Sequence, residues 1–396
     1  MSVPSAEVVI VGGGLEGLSS AWALTQRGVD DIVVLERHSL ASAGTGKSSG
    51  VVRCHYGVRS LAAMAWRGTH VMENAADLLE AEVGFEQVGY VVGVGPGNVE
   101  PFRASVAAQQ SLGIDTRLVG HDDVARLWPQ ARLDDFAAFA YEPRGGYGDA
   151  YSLAMAFAGA ARRAGAAIRQ NVSVAELIVE TDRVRGVRLS DGSDVHAETV
   201  VVAAGPWTVG LLAPHGLDLP IRVHREPILI LDPGEPVGEV PVFSDLVLLQ
   251  YLRTERSGAV LVGNSDLSTL RDADPDHYLD GATEEELESA AQKFAARFPK
   301  WIAAGVRSSY AGCYDVTPDF NPVISATGIA GLFVAAGFSG HGFKISPAVG
   351  ELMADLVTGE HGSVAGVVAR DFRLERFAEH DLLVTPFPYR GAGQMR

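Results

Sequence analysis

Apolar and polar positions near the N-terminus follow the pattern of a strand, a turn and a helix. The segment EVVIVGGGLEGLSSAWALTQRG, residues 7–28, predicts a buried strand, a tight glycine turn and a helix. The segment DIVVLERH, residues 31–38, predicts a second buried strand, and residues 60–83 carry apolar positions at helical spacing. A helix between two fully buried strands is typical of a parallel sheet with crossover connections.

Strand patterns dominate the centre of the chain. Residues 84–140 have a mixed strand and helix pattern, and residues 152–166, SLAMAFAGAARRAGA, predict a helix that ends at a glycine. Residues 173–205 predict a strand meander with an Asp-Gly turn, which closes on the buried strand VVVAAG. Residues 220–265 are rich in strand patterns, and residues 283–298 predict a capped amphipathic helix.

The C-terminal part contains a buried strand, a glycine loop and a helix. The strand is predicted by GLFVAAG, residues 331–337, and the loop GFSGHGFK, residues 337–344, contains one of only four lysines. We expect the following helix to begin with Ser346 as its cap and Pro347 at its first position. A helix N-terminus beside a lysine suits a negative or electron-accepting group.

The composition narrows the classes of partner. The chain has 396 residues, 47% hydrophobic and 20% charged, with a formal net charge of -17. This charge disfavours nucleic acid and anionic membrane surfaces, and no apolar run reaches the length of a membrane span. The N-terminus has no basic segment, so we expect no signal peptide. Because Cys54 and Cys313 lack metal-site spacing, we expect no metal and a reduced, cytoplasmic protein.

The first strand, turn and helix carry a dinucleotide-binding motif. Gly12, Gly14 and Gly17 form G-x-G-x-x-G, and Glu36 follows at the end of the second predicted strand. The glycines permit a tight turn and the approach of a pyrophosphate, and the carboxylate accepts hydrogen bonds from ribose hydroxyls. A glycine triplet alone is weak evidence, but the complete strand–turn–helix–strand–Glu context predicts dinucleotide binding and disfavours a 2′-phosphate.

Further motifs are spread over almost the whole chain. They include EPRGGYGDAYSL, VVVAAGPW, YAGCYDVTPDFNPVI and, most specifically, AAGFSGHGFKISPAVGEL. With VVIVGGG, these segments resemble the D-amino-acid oxidase superfamily of flavoproteins, and within it the monomeric sarcosine oxidase and glycine oxidase branch. The resemblance implies FAD as the cofactor rather than a free nicotinamide.

The nucleotide-binding segments lie at the start, middle and end of the chain, with sheet-rich segments between them. We therefore expect an α/β (α+β) fold, in which a Rossmann-type FAD-binding domain is interleaved with a substrate domain on a mostly antiparallel sheet. We assign residues 1–83, 147–215 and 324–396 to the FAD-binding domain, and residues 84–146 and 216–323 to the substrate-binding domain.

The resemblance also implies candidate substrate-binding residues. Arg53 and Lys344 match the positions that bind the substrate carboxylate in this family, and an arginine can grip a carboxylate with two parallel donors. Tyr251 and Tyr314 fall near positions that line the substrate pocket, although core packing is an equally good reading of Tyr251. His341 is interpreted as a flavin contact rather than a catalytic base, because hydride chemistry belongs to the flavin.

The cofactor-binding candidates are taken from the nucleotide motif and from the family-like segments. They are Gly12, Gly14, Leu15, Gly17, Glu36, Arg37, Lys47, Ser48, Ser49, Gly50, Val174, Ala204, Gly205, Trp207, Gly312, Gly337, Gly340, His341, Gly342, Phe343 and Lys344.

Two departures from the family pattern affect the chemistry. The cysteine that tethers FAD in sarcosine oxidases of this type aligns with Gly312, and Cys313 lies one residue later. Because a shift of one residue on a strand reverses the side chain's direction, we expect non-covalent FAD. The family's oxygen-activating lysine aligns near Leu261, which makes reactivity with dioxygen less secure than flavin binding.

The sequence thus favours an FAD-dependent amine oxidase that acts on glycine or an N-substituted glycine. Hydride would pass to flavin N5, the imine would hydrolyse to glyoxylate and an amine or to an aldehyde and glycine, and dioxygen would yield hydrogen peroxide. Two alternatives remain: a dehydrogenase of proline or another secondary amino acid that passes electrons to a partner protein or quinone, and a flavoprotein subunit with a chiefly assembly role. The N-substituent and the oligomeric state stay open.

Overall fold

A computed structural model describes residues 5–391, which form two large sheets and the helices packed on them. The strands are β1 (Ser5–Val11), β2 (Ile32–Glu36), β3 (Val51–Val52), β4 (Tyr90–Val94), β5 (Arg117–Val119), β6 (Ala138–Glu142), β7 (Gly146–Tyr147), β8 (Ala167–Gln170), β9 (Val174–Glu180), β10 (Arg183–Leu189), β11 (Asp194–Val202), β12 (Arg222–Asp232), β13 (Val242–Asp245), β14 (Gln250–Thr254), β15 (Val260–Asn264), β16 (Arg271–Asp272), β17 (Gly305–Val316), β18 (Val323–Ala326) and β19 (Leu332–Ala336). The helices are α1 (Leu15–Thr25), α2 (Arg59–Glu73), α3 (Ala75–Leu79), α4 (Val99–Gln110), α5 (His121–Leu127), α6 (Ala150–Arg163), α7 (Thr208–Leu212), α8 (Glu284–Arg297) and α9 (Gly342–Thr358).

The first sheet has a parallel centre drawn from distant parts of the chain. Its strands run in the order β18, β19, β11, β1, β2 and β8, and β10 and β9 continue from β11 as an antiparallel meander. The pairs β19–β11, β11–β1, β1–β2 and β2–β8 are all parallel. Helices α1, α6, α2 and α9 pack together over one face, because their apolar sides bury a common core with the apolar strands.

The second sheet is mostly antiparallel. Its strands run in the order β16, β12, β15, β14, β13, β4, β6 and β5, with β17 paired to β12. Of these pairs only β13–β4 is parallel. Helix α8 begins after Thr283, whose side chain accepts a hydrogen bond from the Glu286 backbone N–H, as the sequence predicts. The two sheets confirm the predicted fold class, whereas the domain boundaries stay a prediction.

The helix after the glycine loop begins earlier than the sequence signals indicate. The structure begins α9 at Gly342, with His341 as its N-cap, so Ser346 and Pro347 lie inside the helix and the predicted start is wrong. Pro347 has no N–H to donate to the Phe343 carbonyl. The Ser346 hydroxyl donates to that carbonyl instead, at 2.9 Å, which explains why serine precedes proline here.

The helical pattern of residues 60–83 is also divided. Helix α2 ends before Asn74, and the short α3 follows.

Within residues 5–391, no helix combines the length and the apolar character that crossing a bilayer requires. In the same range, no group of three or more His, Cys, Asp and Glu side chains is placed to bind a metal ion.

Candidate active site

A cavity of about 580 Å³ borders both sheets. Many of the sequence candidates meet in its wall. Those that line it are Gly12, Gly14, Leu15, Glu36, Arg37, Lys47, Ser48, Ser49, Val174, Ala204, Gly205, Trp207, Gly312, Tyr314, Gly340, Gly342 and Phe343.

The glycine turn after β1 lies at one end of the cavity. Gly12 has φ +114°, and a Cβ there would lie 2.2 Å from the Ala203 carbonyl oxygen, so only glycine fits. Helix α1 starts directly after Gly14, so its N-terminus borders the cavity. The Glu36 carboxylate accepts the Gly13 N–H at 2.8 Å. A positive helix end beside an acid after β2 is the arrangement that binds the pyrophosphate and ribose of a dinucleotide.

An aromatic and ionic cluster borders the same cavity near the end of β2. The Arg37 guanidinium lies 3.8 Å from the centre of the Trp207 ring. Asp276 accepts hydrogen bonds from both side chains, each at 2.9 Å, and lines the cavity with them. Asp276 lies in the segment after β16, a strand of the second sheet. Through this cluster, that segment contacts Arg37 and Trp207 in the cavity wall.

The glycine loop 337–340 is fixed by a buried carboxylate. Asp315, on β17, accepts the backbone N–H groups of Gly337 at 2.7 Å and Phe338 at 3.1 Å. Burial raises the pKa of Asp315 to about 6 despite these hydrogen bonds. At Gly340, a Cβ would lie 2.7 Å from the Tyr314 ring. Glycine is therefore required at position 340 for the loop to pack against β17. Gly340 itself lines the cavity.

Two buried basic residues, Arg53 and Lys344, interact electrostatically beside the cavity wall. Arg53 follows β3 directly and is 8% exposed, and Lys344, in the first turn of α9, is 6% exposed. Burial and the Arg53 charge lower the pKa of Lys344 well below its usual value. Neither residue lines the cavity itself, but Lys344 directly follows Gly342 and Phe343, which do.

Neighbouring groups hold the two cations in place. Arg53 Nη1 donates to the His55 carbonyl, and the guanidinium lies 4.2 Å from the centre of the Tyr56 ring. At Gly68 on α2, a Cβ would lie 1.8 Å from the Lys344 carbonyl oxygen, so α2 packs directly on the first turn of α9. The positions of the cations are thus set by the packing of β3, α2 and α9.

His341 lies in the same region with an incomplete set of partners. Its ring is 4% exposed, and within residues 5–391 neither ring nitrogen has a hydrogen-bond partner. Burial, followed by the charges of Lys344 and Arg53, lowers the pKa of His341 well below its usual value, so the ring is neutral. Buried polar atoms without partners are uncommon, and they point to a missing ligand at this loop.

Tyr314 lines the cavity, and Tyr251 lies close enough to it for each phenol to affect the pKa of the other. Ser49, which lines the cavity, also affects the pKa of Tyr251. The Tyr251 ring lies over Gly263 of β15, where a Cβ would come within 2.0 Å of it. Burial raises the pKa of both phenols, so the two hydroxyls remain protonated hydrogen-bonding groups.

Three glycine candidates serve packing rather than the cavity wall. A Cβ at Gly17 would lie 2.1 Å from the Gly12 carbonyl oxygen, and one at Gly50 would lie 2.0 Å from the Gly148 carbonyl oxygen. At Gly337, φ is +75° and a Cβ would lie 2.4 Å from the Thr317 side chain. None of the three lines the cavity.

The sequence reasoning missed several residues that line the cavity or contact residues in its wall. Thr45 accepts the Leu15 N–H at 3.2 Å, and Asp280 forms an ion pair with Lys47 at 2.7 Å. Asp276, Asp315 and Glu226 also line the cavity. Asp315 lies in the quoted segment YAGCYDVTPDFNPVI, so a signal was present, whereas Asp276 and Glu226 have no local sequence signature.

Fold and site together define a dinucleotide-binding flavoprotein architecture, and the glycine turn, α1, Glu36 and the unpartnered His341 fit FAD. The family model for FAD-dependent oxidoreductases, DAO, matches residues 7–356. The chain therefore belongs to the DAO family of FAD-dependent oxidoreductases. It is an FAD-dependent oxidoreductase.

Two relatives illustrate the range of the family. The chain is 29% identical over 386 residues to 4-methylaminobutanoate oxidase (formaldehyde-forming) of Paenarthrobacter nicotinovorans. This alignment covers 94% of this chain but only 46% of that protein. It is 28% identical over 389 residues to sarcosine oxidase subunit beta of an Arthrobacter species, covering 96% of this chain and 93% of that subunit.

Solved structures share the fold. L-proline dehydrogenase from P. horikoshii superposes with a TM-score of 0.87 at 24% identity, covering 96% of this chain and all of that one. Glycine oxidase from Bacillus cereus superposes with a TM-score of 0.75 at 24% identity, covering 90% and 96% of the two chains.

Proposed function

We propose that this chain oxidises glycine or an N-substituted glycine, with FAD as the electron acceptor and dioxygen as the final oxidant. The buried pair Arg53 and Lys344 carries this proposal, because two basic side chains beside a flavin-type cavity suit a substrate carboxylate, whose negative charge would favour the protonated form of Lys344. We infer that the substrate also contains an amine, because the relatives named above include a sarcosine oxidase subunit and a methylaminobutanoate oxidase.

Each group at the site has a proposed task. Arg53 donates two parallel hydrogen bonds to the carboxylate, and Lys344 adds a positive charge. The Tyr251 and Tyr314 hydroxyls orient the amine or the carboxylate, and the α1 N-terminus and Glu36 hold the nucleotide. When bound, FAD supplies the two-electron acceptor for the hydride from the carbon beside nitrogen. The imine then hydrolyses to a carbonyl compound and an amine, and hydrogen peroxide is the other product.

The first experiment follows flavin absorbance in a sealed anaerobic cuvette. Glycine, sarcosine, longer N-alkylglycines and proline are added one at a time, and air is then admitted. We expect one N-substituted glycine to bleach the flavin and air to restore its colour quickly. If no carboxylated amine bleaches the flavin, Arg53 and Lys344 bind a different ligand and the proposal is wrong.

A dehydrogenase is the second candidate. Leu261 is fully buried on β15, where the oxidase-type lysine would align, so this position provides no positive charge for reduced oxygen. Related proteins include dimethylglycine dehydrogenase of Homo sapiens, at 26% identity over 368 residues. Bleaching that persists in air, and is reversed by an artificial acceptor, would favour a dehydrogenase that passes electrons to a partner protein or quinone.

We further propose that FAD is held without a covalent bond. Gly312 lies opposite Glu226 in the β12–β17 ladder, whereas Cys313 lies opposite Arg225, so the two positions face opposite sides of the sheet. Cys313 also borders the cavity, but burial raises the pKa of its thiol to about 11, which leaves it a poor nucleophile. Release of all the flavin by acid precipitation would support this, and flavin that stays with the protein would contradict it.

A further inference from the structure

A second cavity, of about 220 Å³, lies between strands β12 and β15 and helix α8. Among the described residues, Glu226 is the one that lines both this cavity and the larger one. Its side chain is only 6% exposed. A buried carboxyl group thus forms part of the boundary between the proposed flavin cavity and a smaller chamber behind the sheet.

The surroundings of Glu226 differ on its two sides. On the side of the larger cavity, Glu226 lies opposite Gly312 in the ladder, and its charge interacts with Tyr251 and Tyr314. Gly312 has no side chain to cover the carboxyl. On the other side lies Asn264, whose side chain lowers the pKa of Glu226, and Asn264 Oδ1 accepts from Lys293 Nζ at 3.3 Å.

The charged groups around Glu226 come from its own strand β12 and from helix α8. Its chain neighbour Arg225 is paired with Glu286 of α8 at 2.7 Å, and Lys293 approaches from the same helix. Burial, followed by the Glu286 charge, raises the pKa of Glu226 to about 8, while Asn264, Arg225 and Lys293 act in the opposite direction. The carboxyl can therefore gain or lose a proton within a mildly alkaline range.

We propose that the Glu226 carboxylate accepts the proton which an ammonium substrate must lose before its carbon–nitrogen bond is oxidised, and that water in the second cavity then takes this proton away. This rests on the proposed function. The substrate ammonium becomes a neutral amine as its N–H bond breaks, and an O–H bond forms on Glu226. No electrons move in this step, so the carboxyl only exchanges a proton with substrate and water.

The kinetic test measures anaerobic flavin bleaching by rapid mixing between roughly pH 6 and 10. In the wild type, the second-order rate constant should rise as Glu226 ionises, near pH 8. We expect the Glu226→Gln variant to lack this rise. At the pH of the wild-type midpoint, it should bleach about 100-fold more slowly than the wild type. Glu285→Gln is the matched control, because Glu285 lines the second cavity but not the first.

A second variant keeps the test valid if Glu226→Gln fails to fold. Lys293→Met removes a charge that lowers the pKa of Glu226, so the rise in rate should move to higher pH. An unshifted rise in Lys293→Met, or an unchanged profile in Glu226→Gln, would overturn the proposal. A wild type that no amine bleaches would instead contradict the proposed function, so the two failures are distinguishable.

An infrared difference spectrum gives a readout without turnover. The probe 2-methylalanine carries an amine and no hydrogen on the carbon beside it, and isobutyrate has the same skeleton without the amine. Above the pKa of Glu226, we expect the amine probe alone to produce a protonated-carboxyl stretch. The stretch should vanish in Glu226→Gln and persist in Glu285→Gln. A stretch that survives in Glu226→Gln would assign the proton to another group and overturn the proposal.

Discussion

Arg53 and Lys344 lie far apart in the sequence, yet in the folded protein the Arg53 charge lowers the pKa of Lys344. A planar guanidinium and a point charge bind a carboxylate differently, so Arg53→Lys keeps the charge but removes the paired donors. We expect KM for the substrate to rise about 10- to 100-fold with flavin content unchanged. Arg59→Lys, at an exposed arginine, should leave KM as it is. An unchanged KM in Arg53→Lys would remove Arg53 from the carboxylate site.

Glu142 shows how one buried residue makes stability depend on pH. Its carboxylate accepts the Cys54 N–H at 2.7 Å, its other oxygen has no partner within residues 5–391, and burial raises its pKa to about 7. The folded protein therefore holds a proton that the unfolded chain loses near the ordinary glutamate pKa of 4.5. Stability falls as pH rises between these values, by up to about 1.4 kcal/mol per pH unit.

Glu142→Gln should remove this dependence, because the amide keeps an acceptor for Cys54 and does not ionise. Denaturant unfolding at several pH values between 4.5 and 7 measures the slope for both proteins. Glu288→Gln, at an exposed position of α8, serves as the control and should retain the wild-type slope. Identical slopes in Glu142→Gln and the wild type would contradict the raised pKa.

The sequence located single residues well where a motif or a resemblance defined them. Gly12, Gly14 and Glu36 belong to one local motif, and the structure brings them to one cavity wall. Asp276 and Glu226 reach the same wall only through the folding of the second sheet, so no pattern around them predicts their position. The resemblance supplied Arg53 and Lys344, which spacing alone does not single out.

At the scale of elements, helix α9 shows a local signal that tertiary packing overrides. Ser346 and Pro347 have the composition of a helix start, but the helix begins at Gly342 because the glycine loop turns directly into it. The Ser346 hydroxyl instead compensates for the missing Pro347 N–H. The sequence correctly predicted that a helix follows the loop, but it placed the N-cap at Ser346 instead of His341, five residues too late.

A double-mutant cycle tests this compensation. Ser346→Ala leaves the buried Phe343 carbonyl without a donor and should lower the free energy of unfolding by about 1 kcal/mol. In a Pro347→Ala background, residue 347 has an N–H for that carbonyl, so the same serine substitution should cost clearly less. Denaturant unfolding of the four proteins gives both costs. Equal costs in the two backgrounds would show that the hydroxyl does not replace the proline's missing donor.

At the scale of the whole molecule, ion pairs connect the second sheet's part of the chain to the cofactor cavity. Asp276 binds Arg37 at 2.9 Å and Asp280 binds Lys47 at 2.7 Å, and all four residues except Asp280 line the cavity. These pairs are partly exposed, so each is worth about 1 kcal/mol at most. They nevertheless connect, at the cofactor cavity, segments that the sequence assigned to two interleaved domains.

Asp276→Ala should weaken FAD binding a few-fold, because Arg37 and Trp207 lose their shared acceptor. Flavin fluorescence during titration of the apoprotein measures the Kd. Asp272→Ala removes a surface ion pair with Arg222 that does not border the cavity, and its Kd should match the wild type. An unaltered Kd in Asp276→Ala would mean that this cluster does not contribute to holding the nucleotide.

The parallel centre of the first sheet has a consequence for synthesis of the chain on the ribosome. Strand β1 pairs with β11, and β11 pairs with β19. The parallel centre of the sheet therefore cannot form until strands that are synthesised much later than β1 are available. Closing such long loops costs conformational entropy and slows folding. A chain stalled before β19 lacks the glycine loop and Lys344 altogether. If the glycine loop holds the cofactor as proposed, we expect flavin to bind only after translation has passed residue 344.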